Sequence, residues 1–232
     1  MIPPLPASAL LVYQIPTMEP GRLARWLAAA ALAVGLHTSV ASADPPYRAN
    51  VNRWHDASRV PAARFTEDGR QILRVFSVNG LGVAEVTPRT PDGGFDEEAC
   101  TEVSRVLGDS RAQRSTGMDR RLIEILYQVA RHFHAGQITV ISGFRAQRQP
   151  SNHRLGRAMD ILVPGVADGE VAAYARTLGF VGVGLYPVGG FTHIDVRTRS
   201  YFWVDRSGPG DRACRRDFAR QPAQGRRGSG GR

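Results

Sequence analysis

The feature that most narrows the fold is a change of hydrophobic period between residues 118 and 145. Over 118–134, Leu122, Ile125, Leu126, Val129 and Phe133 recur at three- and four-residue intervals, one apolar stripe of an α-helix facing a core. Gly136 stops that pattern. Residues 138–145 (ITVISGFR) then carry the β-branched content of a buried strand. Upstream, 71–78 and 81–86 flank Asn79-Gly80, and Asn-Gly between apolar runs marks a tight hairpin because both residues tolerate positive φ. A turn-rich break over 87–94 precedes an acidic-start helix over 95–107, where Asp96, Glu97 and Glu98 suit the positive helix end. Another strand is predicted at 158–163, a helix at 168–178, and two strands at 181–186 and 191–196 separated by the Pro187–Gly190 turn. The fold class predicted is α+β: a small antiparallel sheet with two or three packed helices. No internal repeat is visible.

The chain has 232 residues, room for one well-filled core rather than two. Around that core, 71–205, the flanks read differently. Residues 1–17 are uncharged and precede Met18, as a leader or a mis-called start would. From Met18 come Arg22 and Arg25, then an apolar run over 26–36, then Val40-Ala41-Ser42-Ala43. A basic start, a short apolar stretch and an A-x-A end form a signal peptide over 18–43. The apolar run is too short to span a bilayer, which takes about 20 residues. The expectation is cleavage after Ala43, a periplasmic or secreted mature protein, and no stable membrane insertion. Residues 44–70 read as an extended lead-in and 206–232 as a disordered Arg/Gly-rich tail.

All 30 basic residues are Arg, and the formal net charge is +9. Between Arg206 and Arg232 stand eight Arg and two Asp, a net +6, which leaves the body from Asp44 to Asp205 near +2. A nucleic-acid binder places its basic residues on a folded face; here the charge sits in the tail, so nucleic acid is excluded as the partner, and anionic envelope polymers suit the tail better. Two cysteines, Cys100 and Cys214, permit one disulfide in an oxidising compartment and lack the paired spacing of a structural zinc site.

The residues that carry chemistry lie in 142–160 (SGFRAQRQPSNHRLGRAMD) and 190–195 (GFTHID). His153 and Asp160 are seven apart, His193 lies on a later strand, and a neighbouring strand brings it alongside Asp160. Two imidazoles and a carboxylate leave a fourth tetrahedral position open, the arrangement of a catalytic rather than a structural zinc ion. The other histidines fit ordinary roles: His132 and His134 stand two apart at a helix end, and His55 lies in the lead-in.

Ser151-x-His153-x-x-Gly156-x-Ala158-x-Asp160 resembles the S-x-H-x-x-G-x-A-x-D signature of D-Ala-D-Ala-type zinc peptidases. Ser142-Gly143-Phe144-Arg145 resembles the strand end that precedes it in that superfamily. Gly182-Val183-Gly184-Leu185-Tyr186-Pro187 and Phe191-Thr192-His193-Ile194-Asp195 are similar to segments of the branch containing murein endopeptidase K. The resemblance runs from about Arg70 to Asp205. It implies the fold of hedgehog-type and D-Ala-D-Ala peptidase domains, a Zn2+ cofactor, and peptidoglycan as substrate.

Residue by residue, the resemblance implies His153, Asp160 and His193 as metal ligands and Arg145 as the cation that steadies a developing oxyanion. Ser151 is a residue that hydrogen-bonds a ligand or the substrate. Gly156 and Ala158 leave space near the ion. The well-studied carboxypeptidases and endolysins of the superfamily carry an acid three residues before the second His, where this chain has Gly190. Asp195 is therefore the candidate general base, since two residues along a strand it points to the same face as His193; the other reading is that it orients a ligand. Trp203, with Tyr201 and Phe202, closes the core or lines a cleft, and core closure is the favoured reading. The activity implied is hydrolysis of amide bonds in peptidoglycan stems or cross-links. The alternatives are D,D- or L,D-carboxypeptidase trimming, a non-catalytic metal-bearing wall-binding protein, and polyanion binding through the Arg tail.

Overall fold

A computed structural model describes residues 45–147, 149–213 and 215–218. Its elements run in the order α1 (Pro45–His55), β1 (Leu73–Ser77), β2 (Gly82–Val86), α2 (Glu97–Val106), α3 (Arg120–His132), β3 (Ile138–Ser142), β4 (Ala158–Leu162), α4 (Asp168–Thr177), β5 (Val181–Tyr186), β6 (Phe191–Val196), β7 (Tyr201–Asp205) and β8 (Arg215–Phe218). The helices start where short polar side chains cap them: Asp96 accepts from Ala99 N at the head of α2, and Asp119 from Arg121 N at the head of α3, satisfying amides the helix leaves orphaned.

All eight strands join one sheet in the order β2-β1-β3-β4-β6-β5-β7-β8. The α+β class holds, but the sheet is neither small nor purely antiparallel. β1 pairs with β3 and β5 with β7 in parallel, and the other pairs are antiparallel. The departure has a topological cause. After the β1–β2 hairpin the chain crosses through α2 and α3 before laying β3 beside β1, a crossover that parallel pairing requires. Local sequence names a strand and leaves its neighbour open. Four helices, rather than two or three, accompany the sheet.

Three helices cover one face. α2 packs on β1 and β2, α4 on β5 and β6, and α3 reaches β6 and α4. Leu122, Leu126 and Val129 of α3 are fully buried there with Met159, Ile161 and Ile194 of the sheet, as the three-and-four stripe predicts, and Ile123, outside that stripe, joins them.

Two flanks differ from expectation. The stretch 44–70, read as extended, contains α1. Prolines at its first turn suit a helix start, and Tyr47, Val51 and Trp54-His55 recur at helical spacing. This face seats on the β5–β6 turn: Tyr47 Oη donates to Gly189 O (2.8 Å) and His55 Nε2 to Gly190 O (3.1 Å). Within the tail read as disordered, Arg215–Phe218 forms β8 against β7. The leader and signal-peptide readings of 1–43, the tail beyond 218 and Cys214 lie outside the described residues. So does any Cys100–Cys214 pairing; Cys100 itself is buried in α2. No helix among the described residues is long and apolar enough to cross a membrane.

Candidate metal centre

The site is built on the sheet face that the helices leave uncovered. Across β3, β4, β6, β5 and β7 the registers align Ser142 with Asp160, Asp160 with His193, His193 with Gly184, and Gly184 with Trp203. Residues directly opposite one another in a sheet share a face, so these five form one row. The adjacent row reads Ala158, Asp195, Gly182, Tyr201.

Both glycines have a spatial reason. A Cβ at Gly184 would lie 2.4 Å from Trp203 Cε2, and one at Gly182 would lie 2.3 Å from Arg197 Nε and 2.4 Å from Asp195 Oδ1. The Gly-x-Gly of β5 is thus the space filled by an indole and an ion pair. Trp203 is buried, leans on the His193 ring with centroids 5.2 Å apart, and donates from Nε1 to Tyr186 Oη (3.1 Å). The core-closure reading therefore fails for Trp203, which packs on the site face beside His193, while its neighbour Phe202 packs against the core.

His153 reaches this row from the turn before β4. There Gly156 adopts φ +65° with its Cα hydrogens against Gly117 O, where a Cβ would come within 2.3 Å, a conformation and a fit that glycine alone meets easily. Ligand-capable atoms of His153, Asp160 and His193 lie within 4.8 Å of one another. His193 Nδ1 is 2.8 Å and His153 Nε2 3.5 Å from Asp160 Oδ1, and the two ring nitrogens are 3.3 Å apart.

The outer hydrogen bonds decide which lone pairs face inward. His153 Nδ1 lies 2.8 Å from Gly143 O, and a carbonyl only accepts, so that nitrogen carries the proton and Nε2 turns a lone pair toward Asp160. His193 Nε2–H donates to Asp195 Oδ2 (3.1 Å), which leaves Nδ1 inward. Two imidazole lone pairs and a carboxylate oxygen thus converge in a buried place, an arrangement that requires positive charge between them. A proton on His193 meets that need: burial disfavours the charged ring, but hydrogen bonds to Asp160 and Asp195 outweigh it and raise the pKa to about 9. A cation that prefers nitrogen and carboxylate donors fits the same three atoms.

The charges around the site are arranged to match. Burial disfavours the Asp160 carboxylate, yet the His153 and His193 rings against it hold it well below the usual carboxylate range. Asp195 is buried too, and hydrogen bonds from His193 and Arg197 bring its pKa down to about 2. Both Asp195 oxygens are engaged: Arg197 Nε donates to Oδ1, and Arg197 Nη2 donates to Oδ2 at 2.7 Å. Arg145 Nη2 donates to Asp160 Oδ2 and its Nε to Ser142 Oγ (2.6 Å), while its side chain stays 42% exposed. Its guanidinium therefore borders both the buried carboxylate and solvent.

Ser151 is occupied locally. Its Oγ accepts from the Arg154 amide (3.2 Å) and from Gln147 Nε2 (2.9 Å), closing the turn that carries His153. Neither His132, which stacks on Tyr174 with centroids 3.7 Å apart, nor His55 joins the cluster.

Sequence reasoning missed Arg197 and Tyr47. Arg197 was legible as the third member of an alternating His193-x-Asp195-x-Arg197 series on one face of β6. Tyr47 carried no such sign. Its phenol pKa is raised by burial and then by the charges of Asp160 and Asp168, which places its hydroxyl, in the neutral form, in the field of the site.

A family model described as peptidoglycan L,D-endopeptidase MepK, of the M15 peptidases, matches residues 66–201. The chain belongs to this peptidase family. The matched span contains Arg145, Ser151, His153, Asp160, His193 and Asp195 and leaves out α1 and β8. The chain is similar to the peptidoglycan L,D-endopeptidase MepK of Escherichia coli K12, 26% identical over 155 residues that cover 60% of this chain and 85% of that protein. The MepK of Shigella flexneri gives the same figures. A probable peptidoglycan L,D-endopeptidase MepK of Haemophilus influenzae is 28% identical over 117 residues, 44% of this chain and 63% of that one. No solved structure matches the chain significantly.

Proposed function

We propose that this protein is an exported zinc peptidase that hydrolyses amide bonds in the peptide part of peptidoglycan, as an endopeptidase of the L,D type named for its relatives. The observation that carries the reading is the inward convergence of His153 Nε2, His193 Nδ1 and Asp160 Oδ1 at the surface of an otherwise well-packed sheet. These three side chains would hold the ion. When bound, zinc supplies Lewis acidity that polarises a carbonyl and lowers the pKa of water.

The protein's own groups do the rest. Arg145 borders the site with part of its guanidinium open to solvent, positioned to hydrogen-bond a carbonyl oxygen as negative charge develops on it. Asp195 orients His193 by accepting from Nε2, and Arg197 clamps Asp195 in turn. That geometry favours the orienting role over general-base catalysis, because both carboxylate oxygens are already engaged and the carboxylate meets the ring nitrogen opposite Asp160. The α+β sheet covered on one face supports the hedgehog and D-Ala-D-Ala peptidase-like fold, and the signal-like 18–43 segment supports a periplasmic or secreted location.

Muropeptide profiling tests the reading. Sacculi are treated with residues 44–232, with the His153→Ala variant, and with chelator-treated protein. Cross-linked muropeptides should fall only with the zinc-loaded wild type, and the lost peak identifies the bond. Three profiles identical to untreated wall would replace catalysis with a metal-bearing wall-binding role.

A further inference from the structure

One row along the site face from the metal ligands, Tyr186 of β5 pairs with Phe191 of β6. Each stands two residues from a member of the ligand row, Tyr186 from Gly184 and Phe191 from His193, so both point to the same face. Their rings stack with centroids 4.6 Å apart and planes 18° from parallel, and both residues stay partly exposed. A second contact fixes the Tyr186 hydroxyl. The Trp203 indole lies across Gly184, where a Cβ would come within 2.7 Å of Nε1, and from there its N–H donates to Tyr186 Oη (3.1 Å). The bare Gly184 thus lets one indole reach both Tyr186 and the His193 ring, 5.2 Å away between centroids.

That contact sets the polarity of the hydroxyl. An indole N–H only donates, so Tyr186 Oη accepts from it and keeps its own proton for another partner. Among the described residues that O–H meets no acceptor. The proton is also firmly held. Burial raises the phenol pKa, the Trp203 hydrogen bond offsets part of that, and the charge of Asp160 raises it further. Tyr47, the other phenol in the field of Asp160, differs because its O–H is committed to Gly189 O (2.8 Å).

Two hydrogen-bond donors therefore flank the ligands from opposite sides. Arg145 stands on the β3 side, bonded to Ser142 and Asp160, and Tyr186 on the side of β5 and β7. Strands lie about 4.8 Å apart in a sheet, and extended peptide advances about 3.4 Å per residue. A donor one or two strands from the ligands thus meets a peptide lying along the row one or two residues from the bond held at the metal centre.

We propose that Tyr186 is a substrate-binding residue of this site, its O–H donating to the carbonyl of an amide one or two residues from the scissile bond. The assignment of a peptide as ligand rests on the peptidase reading above. A bond to a flanking carbonyl is made equally in the bound substrate and in the transition state, so it tightens binding without speeding the step.

The test compares wild type with Tyr186→Phe, both zinc-loaded, on a purified cross-linked muropeptide. Two analogues replace one flanking amide each, one or two residues from the scissile bond, by an alkene that lacks the carbonyl oxygen. Initial rates give KM and kcat, and calorimetry gives affinity. Tyr186→Phe should raise KM about three- to tenfold, the loss of one hydrogen bond, with kcat, zinc content and melting temperature as in wild type. One analogue should cost wild type the same factor, and Tyr186→Phe should not distinguish that analogue from the parent. Unchanged KM would overturn the contact and leave the peptidase reading standing. A raised KM that neither analogue reproduces in wild type would also overturn it, making the hydroxyl a structural prop for Trp203. A loss confined to kcat would overturn it in favour of the scissile oxygen. If wild type binds the muropeptide without cleaving it, the same pattern in affinity sustains the contact and removes the peptidase reading. Absence of binding by wild type removes both.

Discussion

On one face of β4 and β6, Met159, Ile161 and Ile194 are fully buried beneath the helices; on the other, one residue away along the same strands, stand Asp160, His193 and Asp195. The first face holds the sheet together by burial of apolar surface, about 1.5–3 kcal/mol for each large side chain. The second places ionisable groups where desolvation opposes their charges, and it keeps them only through a closed set of partners running from Gly143 O and Arg145 to Arg197. A single strand period thus separates what stabilises the domain from what the domain is proposed to do, and substitutions on the two faces should report on different quantities.

The sharpest break in that comparison comes from His193→Gln. It keeps roughly the same volume and leaves Asp160 paired with Arg145, and Asp195 with Arg197. Activity on muropeptides should fall by about a thousandfold or more, the scale of several kcal/mol of lost electrostatic stabilisation, with zinc content lost alongside and the metal-free melting temperature only modestly lowered. Met159→Ala should do the reverse. It opens a cavity in the hydrophobic core and should cost about 2–5 kcal/mol in denaturant unfolding, with turnover per folded, metal-loaded molecule retained. If Met159→Ala abolished turnover in protein still folded and metal-loaded, the two faces would not be separable.

Asp195→Asn comes next and decides between the two roles open to that residue. As the group that orients His193, its loss should weaken zinc affinity by about 10–100-fold, and activity should return when zinc is supplied in excess. An activity loss with full zinc occupancy at every concentration would instead make Asp195 the general base.

The smallest effect is expected at the α1 strap. A hydrogen bond to Asp168 outweighs burial and raises the His55 pKa, so the folded state favours the protonated ring. That stabilisation is complete below the unfolded pKa of about 6.5 and fades as the pH rises through the raised folded value. His55→Gln should therefore lower stability by about 1 kcal/mol or less near pH 5.5 and by less still near pH 9, read by urea unfolding at the two pH values.

Much of the site was legible in the chain. The spacing of His153, Asp160 and His193 and their match to a peptidase signature brought together three residues that the fold also brings together. The His193-x-Asp195 alternation named a face, and its continuation to Arg197 went unread. The role of Asp195 was not legible, because alternation reports which face a side chain takes and says nothing of which ring nitrogen it meets. Arg145 was identified by its motif, but its contact with Asp160 Oδ2 depends on where the segment after β3 runs. Ser151 was expected near ligand or substrate and is engaged in closing its own turn.

By itself the sequence determined the types of the elements between 71 and 196, the amphipathic stripe of α3, and the short list of residues able to ligate a cation, and it marked the β1–β2 hairpin, whose positive φ falls at Gly82 rather than at Asn79 or Gly80. These follow from local physics: side-chain periodicity, backbone preference and donor chemistry act over a few residues. Tertiary structure alone decided the mixed eight-stranded order, the helical state of 45–55, and the pairing of β7 and β8 at the sheet edge. Those outcomes depend on which distant segment supplies the missing hydrogen bonds and covers the exposed face, a choice settled by the packing of the whole chain rather than by any window of it.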